Sequence, residues 1–424
     1  MTDALWWSTL LKNEIDIRPT CAERRRRVPR MKVLIFCHKP PWPTVDGGTV
    51  ATARMAEGLA ARGVGVEILA LATPKHPGGG KCPDGIRFDC IEVDTRPRLI
   101  PALLNLLRPT PYQLQRFLSL RAINVLKQRM KESPPDVVQI DGVGVLPYLG
   151  AIREAFDGVV VYRAHNVEHQ VIRDRAAGRG VSLVSPWLRL QAGRLERAEA
   201  NACREVDGVV AISEAVGAWC REKARGPVVV IGVGATMCQE APARATAQDL
   251  VHLGAMDWPP NREGVVWFVH EVWPELRRQH PTLEFHLGGR RSQGFGHEVS
   301  APGVVVDGEV DSAEDYLSDH GLMVVPLLAG SGIRVKIVEG MALAKAIVAS
   351  PVAVEGLGVD AGRHLLVAEN APQWIKAIER CLSDPEFVET LGAEARSFAE
   401  QQFSLPQLSR DLENFYTELP KSAI

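Results

Sequence analysis

Short apolar runs alternate with amphipathic segments along most of this chain. In its first half, runs that predict buried strands occupy 31–37, 64–71, 136–141, 158–164, 207–212 and 228–231. Segments with helical periodicity separate these runs, and the first follows a DGG sequence from Thr49 to Arg62. Near-continuous Val and Ile runs between helices are typical of a parallel sheet covered on both faces. The pattern predicts an α/β doubly wound unit over residues 31–245.

The same alternation starts again in the second half of the chain. Apolar runs predict strands at 249–255, 283–289, 303–308, 322–327, 346–349 and 364–368, and helical segments occupy 261–279, 371–383, 385–402 and 406–418. We therefore predict a second Rossmann-like domain over 246–402, and we expect the last segment, 403–424, to pack back on the N-terminal domain. Two such domains facing each other hold ligands in the crevice at the carboxyl ends of their strands.

Length and composition agree with two globular domains. The chain has 424 residues, of which 46% are hydrophobic and 24% charged, and one core stops growing below that length. The formal net charge of −2 lacks the basic excess that bulk nucleic-acid binding needs, so we expect no nucleic-acid partner. No two of the eight cysteines have C-x-x-C spacing. A chain of this length needs no disulfide scaffold, and we expect cytoplasmic localisation.

The first 30 residues do not fit the alternation. An apolar ALWWSTLL segment comes before the basic run 24–27, whereas a secretory signal places its charge before its apolar part. We interpret 1–30 as a disordered leader or as the product of an early start codon, because Met31 opens a strand directly. The alternative is a peripheral membrane contact through Trp6 and Trp7. The chain has no apolar run of the length that spans a bilayer.

The stretch 322–357 predicts a phosphate site. It consists of a buried strand, a glycine turn, a helix predicted from Gly332 to Lys345, and a second short strand. Free backbone N–H groups and the helix dipole both favour an anion at the start of such a helix. Arg334 and Lys336 add positive charge there. We predict that this stretch binds the phosphate-bearing half of an activated donor.

Two loops of the first domain predict the facing side of the crevice. Asp46, Gly47 and Gly48 follow the first strand, and paired glycines allow a close approach to an acceptor or to a donor phosphate; a plain tight turn is the alternative. This loop is not a G-x-G-x-x-G fingerprint, and the second strand ends without an acid to hold a ribose. A dinucleotide-dependent oxidoreductase is therefore disfavoured.

The second loop is YRAHNVEH, at 162–169. His165 follows the strand directly, so it lies highest in the predicted crevice, where it can hydrogen-bond a sugar hydroxyl or orient a phosphate. Asn166 and Glu168 either join the site or cap the following helix. His169 completes this dense polar group.

The chain contains the motifs LIFCHKPPWPTVDGG, AHNVE, AISEAV, LGAMDWPPN and PLLAGSGIRVKIVEGMALAKAIVAS, followed by VEGL, between residues 34 and 357. They carry a resemblance that extends essentially over residues 31–418. Together they resemble the GT-B glycosyltransferases, and more narrowly the retaining family 4 enzymes of bacterial exopolysaccharide synthesis. The resemblance implies that the C-terminal domain binds a nucleotide-diphospho-sugar and the N-terminal domain binds the acceptor. It also implies that no metal or other cofactor is needed, because backbone N–H groups and basic side chains neutralise the diphosphate. The residues do not distinguish UDP-type from GDP-type donors.

The family signature is Glu-x7-Glu across the turn and the helix. Glu339 matches the second glutamate, which by resemblance binds the nucleotide ribose. Ser331 occupies the position of the first glutamate, which in the family faces the donor sugar; a serine can hydrogen-bond there but carries no negative charge. The residues predicted to bind the donor are Gly254, Ser331, Gly332, Arg334, Lys336 and Glu339.

The predicted chemistry is transfer of a hexosyl group with retention. Arg334 and Lys336 stabilise the departing diphosphate. As the family resemblance implies, the acceptor attacks from the face that the diphosphate leaves, and the departing phosphate oxygen takes the acceptor proton. The residues predicted to be catalytic are His165, which positions the sugar, together with Arg334, Lys336 and Glu339. Two rival functions stay open, a nucleotide-sugar 2-epimerase of the same fold and a non-catalytic sugar-nucleotide-binding protein.

The segment 95–131 bears on the acceptor. It contains eight basic residues and no acidic ones, with leucines between them. A basic amphipathic segment can lie on an anionic membrane, which fits a saccharide acceptor linked to lipid at the inner face of the cytoplasmic membrane. The alternative is an ordinary solvated face over the core of the first domain.

Overall fold

The computed structural model describes residues 31–178, 184–235, 237, 249–330 and 334–420. Among these residues the strands form two sheets, and every strand pair in both sheets is parallel. The α/β fold with two Rossmann-like domains is therefore confirmed. The predicted leader 1–30 and the turn residues Ser331 and Gly332 lie outside the described residues.

The N-terminal sheet has the strand order β3-β2-β1-β4-β5-β6-β7. Its strands are β1 Lys32–Cys37, β2 Gly65–Ala72, β3 Ile86–Glu92, β4 Val137–Asp141, β5 Val159–Ala164, β6 Gly208–Ala211 and β7 Val228–Val230. Six of these match a predicted apolar run, whereas β3 does not. β3 is an edge strand and most of its residues are exposed or half-buried, so it lacks the continuous apolar pattern of a strand covered on both faces.

The helices of this domain cover both faces of the sheet. They are α1 Gly47–Ala61, α2 Leu99–Leu104, α3 Tyr112–Gln115, α4 Leu120–Glu132, α5 Leu149–Ala155, α6 Glu168–Gly178, α7 Ser185–Glu205 and α8 Glu214–Arg221, with 3₁₀ turns at Asn105–Leu107 and Val143–Tyr148. Two hydrophobic clusters lie on opposite faces of the strands: Leu34 and Phe36 belong to one, and Val33 and Ile35 to the other. This alternation follows from the two-residue period of a strand.

The C-terminal sheet has the order β10-β9-β8-β11-β12-β13. Its strands are β8 Asp249–Leu253, β9 Glu284–Gly288, β10 Val304–Gly308, β11 Leu322–Val325, β12 Ile347–Ala349 and β13 Leu366–Val367. The helices are α9 Pro259–Glu271, α10 Trp273–Gln279, α11 Ser292–Phe295, α12 Ala313–Asp319, α13 Val335–Ala342, α14 Pro351–Val354, α15 Ala371–Ser383 and α16 Pro385–Gln402, with a 3₁₀ turn at Gly296–Glu298.

Several predicted boundaries in this domain were wrong, and proline or backbone geometry explains them. The single helix predicted at 261–279 is two helices, because Pro274 lacks the N–H that a continuous helix would need. The helix predicted to end at Lys345 ends at Ala342. Ala344 has a φ of 55°, a left-handed conformation that stops a helix.

The last helix, α17 Leu405–Glu418, packs on the N-terminal domain. A Cβ on Gly58 in α1 would come within 1.9 Å of Ser409 Oγ, so the glycine allows the two helices to touch. Arg62 Nε donates to Glu413 across the same contact at 2.6 Å, and Tyr416 is buried with the N-terminal core. The last described helix thus packs on the domain that contains β1.

Candidate active site

The two domains approach each other at the carboxyl ends of their strands. A Cβ on Gly47, the first residue of α1, would lie 3.3 Å from Val335 Cγ2 at the start of α13. A second approach joins Gly356 to Ser213, the N-cap of α8. These contacts place the DGG loop opposite the helix that carries Arg334, Lys336 and Glu339, as a two-domain binding cleft requires.

Lys336 lies at the centre of the C-terminal side of this cleft. Its ammonium group donates to Asn261 Oδ1 at 2.8 Å and approaches His252 Nε2 at 3.3 Å. His252 Nδ1 lies 2.9 Å from the carbonyl oxygen of Val324. His252 Nδ1–H therefore donates to that carbonyl oxygen, and the unprotonated Nε2 accepts a hydrogen bond from Lys336. Two elements, β8 and α9, thus hold this lysine of α13 by neutral groups.

Two glycines make room for this arrangement. A Cβ on Gly254 would lie 2.7 Å from Lys336 Nζ and 2.6 Å from Asn261 Nδ2. A Cβ on Gly289 would lie 2.4 Å from the carbonyl oxygen of Gly254, and Gly289 has a φ of 120°, in the left-handed region. Gly254 was predicted to bind the donor, and the structure places it directly beside the predicted phosphate-binding lysine.

The environment of Lys336 disfavours its charged form. Burial, followed by the positive charge of Arg334, lowers the pKa of Lys336 to about 7. Among the described residues Lys336 forms no ion pair. An anion bound beside it would supply the missing opposite charge and raise this pKa. The electrostatics thus favour a phosphate at this position.

Arg334 occupies the N-cap position of α13 and is almost fully buried, at 5% exposure. Its guanidinium lies over the Trp258 ring, 5.6 Å from the centroid, and burial lowers the pKa of Arg334. This stacking fixes the position of a second cation near Lys336.

Glu339 lies one helical turn beyond Lys336. Burial raises the pKa of Glu339, and the positive charge of Arg54 in α1 acts in the opposite direction. The half-buried carboxyl group therefore interacts with a cation from the other side of the cleft.

On the N-terminal side, His165 is paired with a buried carboxylate. His165 Nε2 lies 2.7 Å from Asp141 Oδ1, and Asp141 also accepts hydrogen bonds from Thr52 and Gln139. Burial opposes the ionisation of Asp141, but His165 and Arg163 outweigh it and lower the pKa of this carboxyl to about 2. Asp141 is thus an anion that fixes the imidazole, and the other ring nitrogen of His165 is available to a ligand.

His38 completes this cluster at the ends of β1, β4 and β5. Its Nδ1 lies 3.3 Å from the carbonyl oxygen of Asp141, and burial lowers the pKa of His38 to about 4. Gly142 and Gly144 pack against the ring, since a Cβ on either would come within 2.6 Å of it. His38 is therefore a neutral, tightly packed neighbour of the Asp141–His165 pair.

The DGG loop is built as a helix cap. Asp46 accepts from the Thr49 N–H at 2.9 Å and pairs with Lys39 Nζ at 2.6 Å. Those contacts lower the pKa of Asp46 against the opposing effect of its burial. The Asp46 carboxylate is thus already occupied, whereas Gly47 and Gly48 present the start of α1 towards the cleft.

The other polar residues of the YRAHNVEH loop serve its fold. His169 and the N–H groups of Glu168 and His169 all bond to the buried carboxylate of Glu199 in α7. Asn166 donates to Glu168 at 3.1 Å. Of the four polar residues, His165 is the one that joins the Asp141 cluster.

Solved structures with low sequence identity share this fold. Sucrose-phosphate synthase from Thermosynechococcus elongatus matches with a TM-score of 0.68 and 19% identity, over 92% of this chain and 99% of that one. HepE of Anabaena, solved in complex with UDP-glucose, matches with a TM-score of 0.64 and 16% identity over 92% and 100% of the two chains. WaaG, a glycosyltransferase involved in lipopolysaccharide biosynthesis, has a TM-score of 0.64 at 14% identity over 91% and 100%.

Two family models match the chain, one in each domain. The model described as Glycosyltransferase Family 4 matches residues 45–235, and the model described as Glycosyl transferases group 1 matches residues 247–384. The chain belongs to the GT-B glycosyltransferases of family 4. The resemblance drawn from the sequence motifs is thereby confirmed.

This glycosyltransferase also matches one curated relative in part. An uncharacterized 44.6 kDa protein in the cps region of Klebsiella pneumoniae is 21% identical over 164 residues. The match covers 37% of this chain and 42% of that protein, so the chain spans less than half the length of the curated relative it matches.

Three residues of the GT-B cleft were absent from the sequence prediction. Asp141 closes the apolar strand β4 and is followed by a glycine, a signal that could have found it. His252 and Asn261 were inconspicuous, because one lies within an apolar strand and the other begins a helix after two prolines. Their role depends on the packing of α13 against β8 and α9, which no local pattern encodes.

Proposed function

We propose that this protein transfers a hexosyl group from a nucleotide-diphospho-sugar, of UDP or GDP type, to a saccharide or lipid-linked acceptor with retention of configuration. The observation that carries the proposal is Lys336, a half-buried ammonium held by neutral groups in an interdomain cleft. A diphosphate would supply the negative charge that the surroundings of this lysine lack. The lysine and the stacked Arg334 neutralise it without a metal.

The proposed step breaks the bond between the anomeric carbon and the phosphate oxygen. The bonding electrons leave with the diphosphate, and Lys336 and Arg334 stabilise that developing charge. The acceptor hydroxyl attacks from the same face and forms the new glycosidic bond, while its proton passes to the departing phosphate oxygen. His165, fixed by Asp141, positions the sugar. Glu339 binds the nucleotide ribose.

The printed descriptions of related structures support this choice of donor. HepE of Anabaena was solved with UDP-glucose, and TarM of S. aureus with UDP and α-GlcNAc-glycerol. WaaG is described as acting in lipopolysaccharide biosynthesis, and the partly matching Klebsiella protein lies in a cps region. These descriptions favour polysaccharide or glycoconjugate synthesis as the setting of the reaction.

The test begins with thermal-shift screening of UDP, GDP and ADP, since a ligand that binds the native state raises the melting temperature. Nucleotide sugars carrying the selected base are then incubated with and without lipid-linked acceptor. Acceptor-dependent release of the nucleotide with a retained anomeric bond supports the proposal. Release or epimerisation of the sugar without acceptor identifies the epimerase instead, and binding without turnover identifies the non-catalytic sugar-nucleotide-binding protein.

The segment 95–131 divides into two structurally different parts. In α4, Ala122, Leu126 and Met130 are buried, and Lys127 and Arg129 pair with acidic side chains of neighbouring elements. α2 buries none of its residues. Within the described chain, large exposed apolar residues concentrate in and around this second part: Leu99, Ile100, Leu103, Leu104, Leu106, Leu107, Leu118, Leu120, Val184 and Leu190.

A buried polar network holds the exposed leucines in place. Asn105 is fully buried and accepts hydrogen bonds from Gln191 and Arg194 of α7, both at 3.1 Å. Arg194 also donates to the carbonyl oxygens of Asn105 and Leu106, both at 2.8 Å. The backbone is therefore anchored while Leu107, at 88% exposure, projects outward. Exposed apolar patches of this kind mark interaction sites.

As part of the proposed function, this patch docks on the anionic inner face of the cytoplasmic membrane, where a lipid-linked acceptor lies. Arg108 and Arg121 are exposed beside the leucines and supply the matching charge. None of the described helices is long and apolar enough to cross a membrane.

Co-sedimentation with phosphatidylglycerol vesicles tests this docking. We expect the wild type to sediment with them and not with phosphatidylcholine vesicles. The double variant Leu103→Asp and Leu107→Asp should lose the interaction, and Arg121→Gln should weaken it about fivefold, because one base near the lipid contributes about 1 kcal/mol. Lys127→Gln is the matched control, since Lys127 is paired with Glu154. If the double variant sedimented with phosphatidylglycerol vesicles as well as the wild type does, the proposed membrane docking would be wrong.

A further inference from the structure

A second polar cluster lies in the C-terminal domain, away from the cleft. Asp249 is the first residue of β8, His286 lies within β9, and His320 precedes β11. All three are half-buried. Since the strands are parallel and the cleft lies at their carboxyl ends, this cluster occupies the opposite half of the sheet. It therefore takes no part in the proposed transfer reaction.

The side chains present three ligand atoms to one point. One atom from each residue lies within 4.8 Å of the other two. His320 Nδ1 is 2.5 Å and His286 Nε2 is 3.9 Å from the same Asp249 oxygen, Oδ2. Ligands of a tetrahedral zinc ion stand about 3.3 Å apart, because zinc binds nitrogen and oxygen at about 2.0–2.2 Å. Small side-chain rotations would complete this set.

His286 is held from behind by a carboxylate. His286 Nδ1 lies 3.1 Å from Asp307 Oδ2, and Asp307 also accepts from the Tyr316 hydroxyl at 2.7 Å. Asp307 is therefore the acceptor for the His286 Nδ1–H, and the other ring nitrogen, Nε2, faces the carboxylate of Asp249. A histidine that donates its other nitrogen to a carboxylate is the usual outer arrangement of a zinc ligand.

The other ligands are also held from behind. The Gly321 N–H donates to Asp249 Oδ1 at 2.5 Å, which orients the carboxylate and leaves Oδ2 towards the histidines. Lys345 Nζ bonds to the carbonyl oxygens of Ser318 and His320, which fixes the loop that carries His320. Glu284 Oε2, 3.5 Å from His286 Nε2, is the nearest further carboxylate.

We propose that Asp249, His286 and His320 form a structural zinc site that ties β8, β9 and the loop before β11 together, with Glu284 or water as the fourth ligand. Imidazole and carboxylate ligands in this number suit zinc. Zinc binding would replace the direct contact between His320 Nδ1 and Asp249 Oδ2 with two metal–ligand bonds.

Calorimetric titration of full-length, untagged, chelator-treated protein with ZnCl₂ tests this site. We expect one zinc per chain and a higher melting temperature in its presence. His286→Gln should weaken binding at least about 100-fold by removing a ligand, and Asp307→Asn about 10- to 100-fold by releasing the orientation of His286. His297→Gln is the matched control, because His297 is an exposed histidine beside a single carboxylate, Glu298, and it should change zinc affinity less than twofold.

Two results would overturn the proposal: no stoichiometric zinc uptake by the wild type, or equal affinity in His286→Gln and the wild type. If His286→Gln fails to fold, Asp307→Asn decides the question alone, because it keeps every ligand. Nucleoside diphosphate binding should be unchanged in both variants, so failure of the zinc site and failure of the proposed transfer are separate outcomes.

Discussion

The two sides of the cleft treat charge in opposite ways. On the N-terminal side, the Asp141 carboxylate is surrounded by His165, Thr52 and Gln139, with Arg163 nearby, so its negative charge is balanced before any ligand arrives. On the C-terminal side, Lys336 contacts neutral His252 and Asn261, and its neighbour Arg334 is also a cation. The Asp141 carboxylate thus has its cationic partners in place, whereas Lys336 has no ion-pair partner in the part of the chain that the structure describes.

This difference agrees with the proposal that the two domains have separate tasks. A balanced network keeps its geometry whether or not a ligand is bound, which suits the positioning of a sugar. A buried cation without a counter-charge is unfavourable until an anion binds, which suits the capture of a diphosphate. We therefore expect variants on the C-terminal side to change nucleotide binding and variants on the N-terminal side to change turnover.

The largest effect is expected from Lys336→Gln. This change removes the positive charge but keeps a side chain that can bond to Asn261, and kcat/KM for the nucleotide sugar should fall about 1000-fold, the upper range for loss of one oxyanion-stabilising group. Lys376→Gln is the control, since Lys376 is an exposed lysine of α15. Steady-state kinetics measure both, and equal rates for wild type and Lys336→Gln would sink the assignment.

Next in size is His165→Ala on the N-terminal side. Here kcat should fall about 10- to 100-fold through loss of sugar positioning, while nucleoside diphosphate affinity stays within about twofold. Asp141→Asn should reproduce part of the loss in kcat, because it frees the imidazole that Asp141 fixes. If nucleotide affinity fell in His165→Ala by the same factor as kcat, the proposed division of tasks would be wrong.

The pH dependence of nucleotide binding sharpens the comparison further. With a pKa of about 7, Lys336 is protonated in the free protein below pH 7 and neutral above it. The diphosphate requires the charged form, so affinity should fall about tenfold per pH unit above 7. Titration calorimetry between pH 7.5 and 8.5 measures this slope, and a slope that persisted unchanged in Lys336→Gln would point to another group.

The smallest effect is expected from Glu339→Gln. An amide keeps the shape of the side chain but weakens its hydrogen bonds to ribose hydroxyls, and we expect about a fivefold loss of nucleotide affinity, equivalent to about 1 kcal/mol. The difference in affinity between the wild type and Glu339→Gln should disappear for nucleotides whose ribose lacks both the 2′ and the 3′ hydroxyl. An equal loss for those compounds would show that Glu339 acts elsewhere.

The sequence was sufficient for the fold because the strands covered on both faces are nearly continuous apolar runs. It failed at β3, an exposed edge strand, and at the end of α13, where Ala344 adopts a left-handed backbone. Lys336 and His165 were predicted as site residues from their places after strands. Their partners Asn261 and Asp141 were not, because those contacts join residues 75 and 24 positions apart.

The most direct test of the central claim compares a nucleoside diphosphate with its parent nucleoside. Binding of the diphosphate selected by thermal shift, and of the nucleoside alone, is measured for the wild type and Lys336→Gln. We predict that the ratio of diphosphate affinity to nucleoside affinity is about 30- to 100-fold smaller in the variant, equivalent to about 2 to 3 kcal/mol for a charge-assisted contact. The affinity for the nucleoside should be unchanged. An unchanged advantage of the diphosphate over the nucleoside would contradict the assignment of Lys336 to the diphosphate.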